Sequence, residues 1–193
     1  AWLATTGSRI KGADCLALGI ATHFIPSDKI EEVKAKILAD HANLDSILAE
    51  AAITPPPAAI ESQRADIDRL FASDRYEDIL AALRADGSEW AQAQLTTLAT
   101  KSPQTIKVAL KQLAMGAKFT DFADNMKNEF RIACHVLRRP DFIEGVRAVI
   151  VDKDNAPKWD PATPEGATDA LIDSLFAPLS PDREWVPLPA KGA

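Results

Sequence analysis

Apolar residues recur along this chain at the three-and-four spacing of helices. Ala13 to Leu18 reads as a short helix that Gly19 can end, because glycine accepts the left-handed backbone of a helix stop. Asp28 and Glu31 are spaced as a capping pair, with Ile30, Val33, Ile37 and Leu38 following on one face. The pattern weakens after Asp40. Pro55-Pro56-Pro57 must interrupt it, since proline lacks the amide hydrogen and clashes with the preceding turn, so residues 54–58 read as an exposed linker. Beyond them Ile60, Ile67, Leu70 and Phe71 are helix-spaced. Asp74 and Glu77 are placed to cap a helix whose apolar face is Tyr76, Ile79, Leu80 and Leu83. Asp86-Gly87 stops it, and Ser88 caps a further helix carrying Ala91, Leu95 and Leu98.

Ser102-Pro103 is the clearest start signal: serine accepts from a first-turn amide, and proline fills a position that needs no amide hydrogen. Ile106, Leu110 and Leu113 then face one way, and Gly116 ends the run. A longer helix is expected from about Thr120 to Arg138, with Phe122, Ala123, Met126, Phe130, Ala133 and Leu137 as its core stripe. Arg138 and Arg139 suit its negative end, and Pro140 terminates it. Asp141 and Glu144 form a third capping pair, for a helix over Phe142 to Val151, and a last helix covers about Thr168 to Phe176. A single segment, Ile20 to Ile25, is β-prone and bounded by Gly19 and Pro26. The chain therefore reads as mainly α, with at most one or two short strands.

Composition narrows function only by exclusion. A net charge of −6 does not suit a nucleic-acid binder, and no apolar run reaches the ~18 residues of a membrane span. Positive residues nevertheless gather in the second half (Lys101, Lys107, Lys111, Lys118, Arg138, Arg139, Arg147, Lys153, Lys158), where an anionic ligand or plain solvated helix faces would account for them. Cys15 and Cys134 are too few and too distant for a disulfide framework, which suits a reducing compartment. No Cys/His set has zinc-like spacing. Asp152-Lys153-Asp154-Asn155 has the look of a calcium loop, but Pro157 stands where that loop needs glycine, so no metal is expected. Cys134 and His135 are adjacent and face different directions on a helix. Glu129 and Arg131, two apart, do not face each other either.

Three segments, in order, carry a resemblance. They are Thr6-Gly-Ser-Arg-Ile-Lys-Gly-Ala-Asp-Cys-Leu-Ala-Leu-Gly-Ile-Ala-Thr-His-Phe24, Ser102-Pro-Gln-Thr-Ile-Lys-Val-Ala-Leu-Lys-Gln-Leu113, and Glu129-Phe-Arg-Ile-Ala-Cys134 running into Asp141 to Pro161. Together they resemble the 3-hydroxyisobutyryl-CoA hydrolase branch of the enoyl-CoA hydratase/isomerase (crotonase) superfamily, over residues 2 to about 180 and in its C-terminal half only. Two features resemble the hydrolase branch rather than the hydratases. The chain between Pro26 and Ser102 has room for about four helices, and it closes with Glu144-Gly-Val-Arg-Ala and Pro157-Lys-Trp159.

The resemblance implies the helical end of a crotonase-like α/β fold. Residues 1–43 would close the core, 44–100 would form a helical insertion, and 101–193 a lid and assembly region with a Pro-rich tail. It implies a parent enzyme that cleaves 3-hydroxyisobutyryl-CoA in valine breakdown, with an oxyanion hole of backbone amides and an acidic motif lying ahead of residue 1. No catalytic residue is therefore carried over, and the chain alone is expected to be inactive. Lys153, Lys158, Trp159 and Phe142 are the implied contacts of coenzyme A, which enters as part of the substrate and not as a separate cofactor. Expected partners are the acyl-CoA, the N-terminal half of the same fold and another copy of the chain, with no nucleic acid and no membrane. Two other readings stand beside this: an enoyl-CoA hydratase or isomerase, and a non-catalytic helical interaction module. Location stays open between a bacterial cytoplasm and a mitochondrial matrix.

Overall fold

Helix-forming spacing decides the local structure along the whole described chain, residues 1–188 of the computed structural model. The helices are α1 (Trp2–Thr6), α2 (Gly12–Ala17), α3 (Ile30–Ala39), α4 (Leu44–Ala51), α5 (Arg64–Leu70), α6 (Tyr76–Asp86), α7 (Glu89–Ala99), α8 (Pro103–Gly116), α9 (Phe122–Val136), α10 (Pro140–Val146) and α11 (Asp169–Ser174), with no strand among the described residues. The chain divides into two units: Ser8–Arg69, and Ala1–Gly7 with the chain from Leu70 onward.

In the larger unit, α1 lies against α7 and α8, and α6 against α7 and α8. Tyr76, Ile79, Leu80 and Leu83 are buried as their spacing predicts, with Ala91, Leu98, Ile106 and Leu110. Gly87, at φ 68, supplies the left-handed residue that ends α6. A second cluster joins Val108 of α8, Ile132 of α9, and Ile172, Leu175 and Phe176 in and after α11. The serine caps stand where expected: Ser88 Oγ accepts from the Ala91 amide at 3.2 Å, and Ser102 Oγ from the Thr105 amide at 3.0 Å.

The smaller unit is held by a carboxylate as much as by a core. Buried Asp14 accepts from the Lys11 amide at 2.9 Å and the Ile60 amide at 3.0 Å, which joins α2 to the short turn Ala59–Gln63. Those donated hydrogen bonds hold its carboxyl below the usual range. Val33 and Ile60 are its large buried aliphatics. The proline run at 54–58 lies inside this unit.

Several expectations fail for physical reasons. Ile20 to Ile25 is irregular and not a strand: it bends at Ile20 and Thr22, the Ile20 and Ala21 amides turn back onto the Cys15 carbonyl, and a strand needs a neighbouring backbone to pair with. Among the described residues it receives one such bond, from the Ile53 amide to the Phe24 carbonyl at 2.9 Å, and Ile20 is 61% exposed. The pattern that weakens after Asp40 still forms α4. In α9 the inward stripe is Asn128, Ile132 and Val136, whereas Phe122 is 77% exposed and Leu137 and Phe130 also reach solvent. Apolar spacing identified a face of the helix, but not the face that α8 and α11 cover. Leu38 and Leu113 are exposed in the same way.

None of the three expected carboxylate pairs caps its helix through a side chain, because the helices begin at other residues and the acids bind other partners. Glu31 pairs with Lys34 at 2.7 Å, and Glu77 with Lys107 at 2.5 Å. Asp141 and Glu144 bind elsewhere, as described below. Pro140 begins α10 as a first-turn proline as well as ending the stretch before it, and the expected helix to Val151 finishes as a wider π-turn, Arg147–Val151.

Candidate functional site

The segment from Asp141 to Asp160 folds around two side-chain junctions. The first is the buried Asp141 carboxylate. One oxygen accepts from Ser102 Oγ in a short hydrogen bond, and the other accepts from the Asp160 amide at 2.6 Å. Ser102 thus caps α8 while donating to α10, so one hydroxyl fixes the start of two helices and the return of the chain at residue 160.

The second junction is Arg147. Its guanidinium donates to both Glu144 oxygens at 2.8 and 2.9 Å, to Asp152 at 2.6 Å, to Asp154 at 2.7 Å and to the Ala156 carbonyl at 3.3 Å. Glu144 also accepts from the Lys158 amide at 2.7 Å. The Arg147 bonds, with that amide second, hold the Glu144 carboxyl down at about 2, and the three carboxylates push Arg147 above its ordinary value. The run that resembled a calcium loop is therefore occupied by a guanidinium. Lys153 and Asn155 take positive φ values of 58 and 52 as the chain turns under it.

The expected coenzyme contacts fall at different places on this frame. Trp159 is half-buried. Its Nε1 donates to the Thr100 carbonyl at 3.0 Å, and a Cβ at Gly145 would stand 3.5 Å from its ring. The indole lines a cleft of about 250 Å³ with Thr5, Lys101, Ser102, Thr105 and Ile106. Lys158 is exposed next to it in sequence and is held through its main chain. Lys153 is exposed at the tip of the turn, and Phe142 lies on α10, also exposed. Around Phe142 an apolar surface continues through Ile143, Val146, Val149, Ile150 and Val151, all of them exposed.

Sequence reasoning missed Arg147 as the centre of the segment and Asp141 as a bridge. The three-residue spacing of Glu144 and Arg147 was the available signal for the first; nothing local announces the second, which spans 39 positions. The polar pairs judged unrelated are indeed separate. Glu129 accepts from Gln112, Arg131 binds Glu184 at 2.8 Å, and His135 Nε2 donates to the Ala177 carbonyl at 3.0 Å. No described helix is long and apolar enough to cross a membrane.

Comparison with known proteins adds the following. Residues 1–176 match the family model described as enoyl-CoA hydratase/isomerase. The chain is 37% identical over 187 residues to the mitochondrial 3-hydroxyisobutyryl-CoA hydrolase of Danio rerio, covering 92% of this chain and 49% of that protein. It is 36% identical over 190 residues to the enzyme of the same name from Dictyostelium discoideum, covering 95% and 50%. Among solved structures, a carnitinyl-CoA dehydratase from Mycobacterium thermoresistibile superposes with a TM-score of 0.82 at 37% identity, over 93% of this chain and 51% of that one. The chain thus spans about half the length of the relatives it matches, in their C-terminal part.

Proposed function

The chain belongs to the enoyl-CoA hydratase/isomerase family, and from that premise we propose that it is the C-terminal helical portion of an acyl-CoA thioester hydrolase acting on 3-hydroxyisobutyryl-CoA. The observation that carries the proposal is the identity of 36–37% to proteins named as that hydrolase, sustained over more than nine-tenths of the chain. Hydrolysis of a thioester develops an oxyanion that preorganised amides must stabilise, and it needs a carboxylate able to exchange a proton near neutral pH. Glu144 is unsuited to that exchange, because Arg147 keeps it ionised down to about 2. Buried Asp141 is already engaged by a hydroxyl and an amide. In this reading the oxyanion hole and catalytic acids come from the other half of the relatives' length, and this portion supplies a wall and an assembly surface.

Lys153, Lys158, Trp159 and Phe142 remain the proposed coenzyme A contacts, ammonium groups meeting phosphate and an aromatic face meeting adenine. The exposed apolar residues Ile143, Val149 and Ile150 are the proposed seat of the rest of the fold. Burying that face would offset the cost of leaving it in water.

A second reading, a hydratase, dehydratase or isomerase of the same family, is favoured by the equal 37% identity to the dehydratase structure. The test is thiol release from 3-hydroxyisobutyryl-CoA, with crotonyl-CoA hydration followed beside it. Both are measured on this chain alone and after the preceding half of the fold is added. The hydrolase reading expects no turnover alone, thiol release with both halves, and loss of hydrophobic-dye binding when they combine. Turnover by this chain alone would refute the proposed placement of the catalytic groups, and hydration without thiol release would establish the second reading.

A further inference from the structure

A second cleft, of about 320 Å³, opens in the larger unit between α6, α7, the start of α8 and residues 162–164. Its floor is apolar: Leu80 and Leu98 are buried there, beside Leu95 and Pro103. Two cations, Arg84 and Lys101, stand on its wall, and neither head group has an ion pair or a hydrogen bond to a described residue. In the neighbouring cleft of this unit both lysines are matched, Lys107 with Glu77 and Lys111 with Asp173.

Tyr76 supplies an independent observation. It is 4% exposed and lines the cleft, yet its hydroxyl has no hydrogen-bond partner among the described residues. The hydroxyl is not among the enclosed polar atoms left without a partner, which are Gln104 Nε2 and Asn128 Nδ2, so it opens to solvent and is free to meet a ligand or a water. Burial is the main influence raising its phenol above the ordinary value, and the opposing charge it feels is Arg84, which lines this cleft. Tyr76 borders this cleft together with Arg84 and Lys101. Two acids also act on the phenol: exposed Glu165, next to Pro164 at the rim, and Glu77, which is paired with Lys107.

We infer that this cleft binds a small organic anion, a carboxylate or phosphate head held by Arg84, Lys101 and the Tyr76 hydroxyl, with a short apolar body on Leu80, Leu95 and Leu98. Guanidinium recognises either head in a two-pronged fashion, and a space of this volume suits a ligand of a few carbons. The inference goes beyond the family reading and holds whichever acyl-CoA reaction that reading turns out to describe.

Tyr76 is the chain's one tyrosine, so selective ¹³C labelling gives a single ring resonance to follow. The protein is titrated with butyrate and with butyl phosphate at fixed ionic strength, against acetate and inorganic phosphate. A saturable shift is expected with the four-carbon compounds, butyrate binding on the order of tenfold tighter than acetate and butyl phosphate on the order of a hundredfold tighter than inorganic phosphate, since each buried methylene contributes about fourfold. Preference between the two butyl ligands identifies the head group. Arg84→Gln and Lys101→Gln, at positions outside the core, should each weaken binding by about tenfold or more. Tyr76→Phe keeps the buried ring, and calorimetry should show weaker binding to a folded protein. A shift that grows linearly without saturating, or one that survives unchanged in the doubly substituted R84Q/K101Q protein, overturns the inference.

Discussion

Replacing Ser102 with alanine removes two interactions with one hydroxyl. The first is the cap on α8, where Ser102 Oγ accepts from the Thr105 amide at 3.0 Å; losing such a cap costs about 1 kcal/mol. The second is the bond donated to Asp141, a buried carboxylate that keeps the Asp160 amide as a partner but loses its hydroxyl donor. A hydrogen bond to a charged group contributes about 1.5–3 kcal/mol, so the variant should lose about 3 kcal/mol in all. With a urea slope of about 2 kcal/mol/M, the unfolding midpoint falls by about 1.5 M. Ser102→Gly separates the two effects, since glycine costs only a few tenths of a kcal/mol at a cap, leaving the Asp141 loss dominant. A cycle with Asp141→Ala should return a coupling of about 1.5–2 kcal/mol. The reasoning is refuted if Ser102→Ala lies within about 0.5 kcal/mol of the parent, or if the double variant is additive within that margin.

The acid side of the stability profile should report Glu144. Its folded value of about 2 lies below the ordinary 4.5, so its contribution is complete above 4.5 and disappears as pH falls from there toward 2. Urea midpoints over that window should fall less steeply in Glu144→Gln than in the parent; parallel slopes would contradict the Arg147 junction. In the core, Leu83→Ala at a fully buried position should cost about 2–5 kcal/mol. Leu38→Ala, on the equally apolar-looking α3, should stay within about 0.5 kcal/mol because Leu38 is 86% exposed. A thermal melt of each variant separates the two cases.

Those two leucines mark how much of the fold the sequence disclosed. Leu83 lies between Ile79 and Gly87 in a pattern that has one apolar face and a stop, and its burial follows from spacing alone. Leu38 follows Ile30 by eight residues, a helical interval, and Val33 by five, which is not one; of the three only Val33 is buried, because spacing says nothing of what lies opposite a helix. The same limit misassigned the face of α9, where Ile132 meets Val108 and Ile172 while Phe122 does not. Side-chain caps were legible for Ser88 and Ser102, whose hydroxyls bond amides three positions on, and Thr168, read only as the start of a helix, does the same. The three expected carboxylate pairs were misread, since other partners hold them, as Lys107 holds Glu77 and Ser102 holds Asp141; the carboxylate that does cap is Asp121, which accepts from the Ala123 amide at 2.7 Å. Of the expected coenzyme contacts, Trp159 was legible as the anchor of an irregular turn, while the Arg147 junction beneath that turn went unread.

The acids of the closing segment also bear on what this portion of the fold can contribute. A carboxylate that transfers protons must change charge near the working pH, which requires an environment that leaves its neutral form accessible. Glu144, Asp152 and Asp154 have the opposite environment, one guanidinium donating to all three. Asp154 is lowered by Arg147 and the Ala156 amide, and Glu144 by Arg147 and the Lys158 amide. Glu144 and Asp154 stay ionised throughout the range in which thioesters are turned over, so their effect on chemistry is positional. The Lys158 amide reaches Glu144, the Asp160 amide reaches Asp141, and Trp159 lies between those two tethers with its own N–H on Thr100. Three hydrogen bonds from three consecutive residues fix the indole, and a face fixed in that way loses little entropy on meeting a planar ligand. Weakening the tethers should therefore loosen the proposed coenzyme contact at Trp159 before it unfolds the helices, an order of events that separates a positioned wall from a mere structural turn.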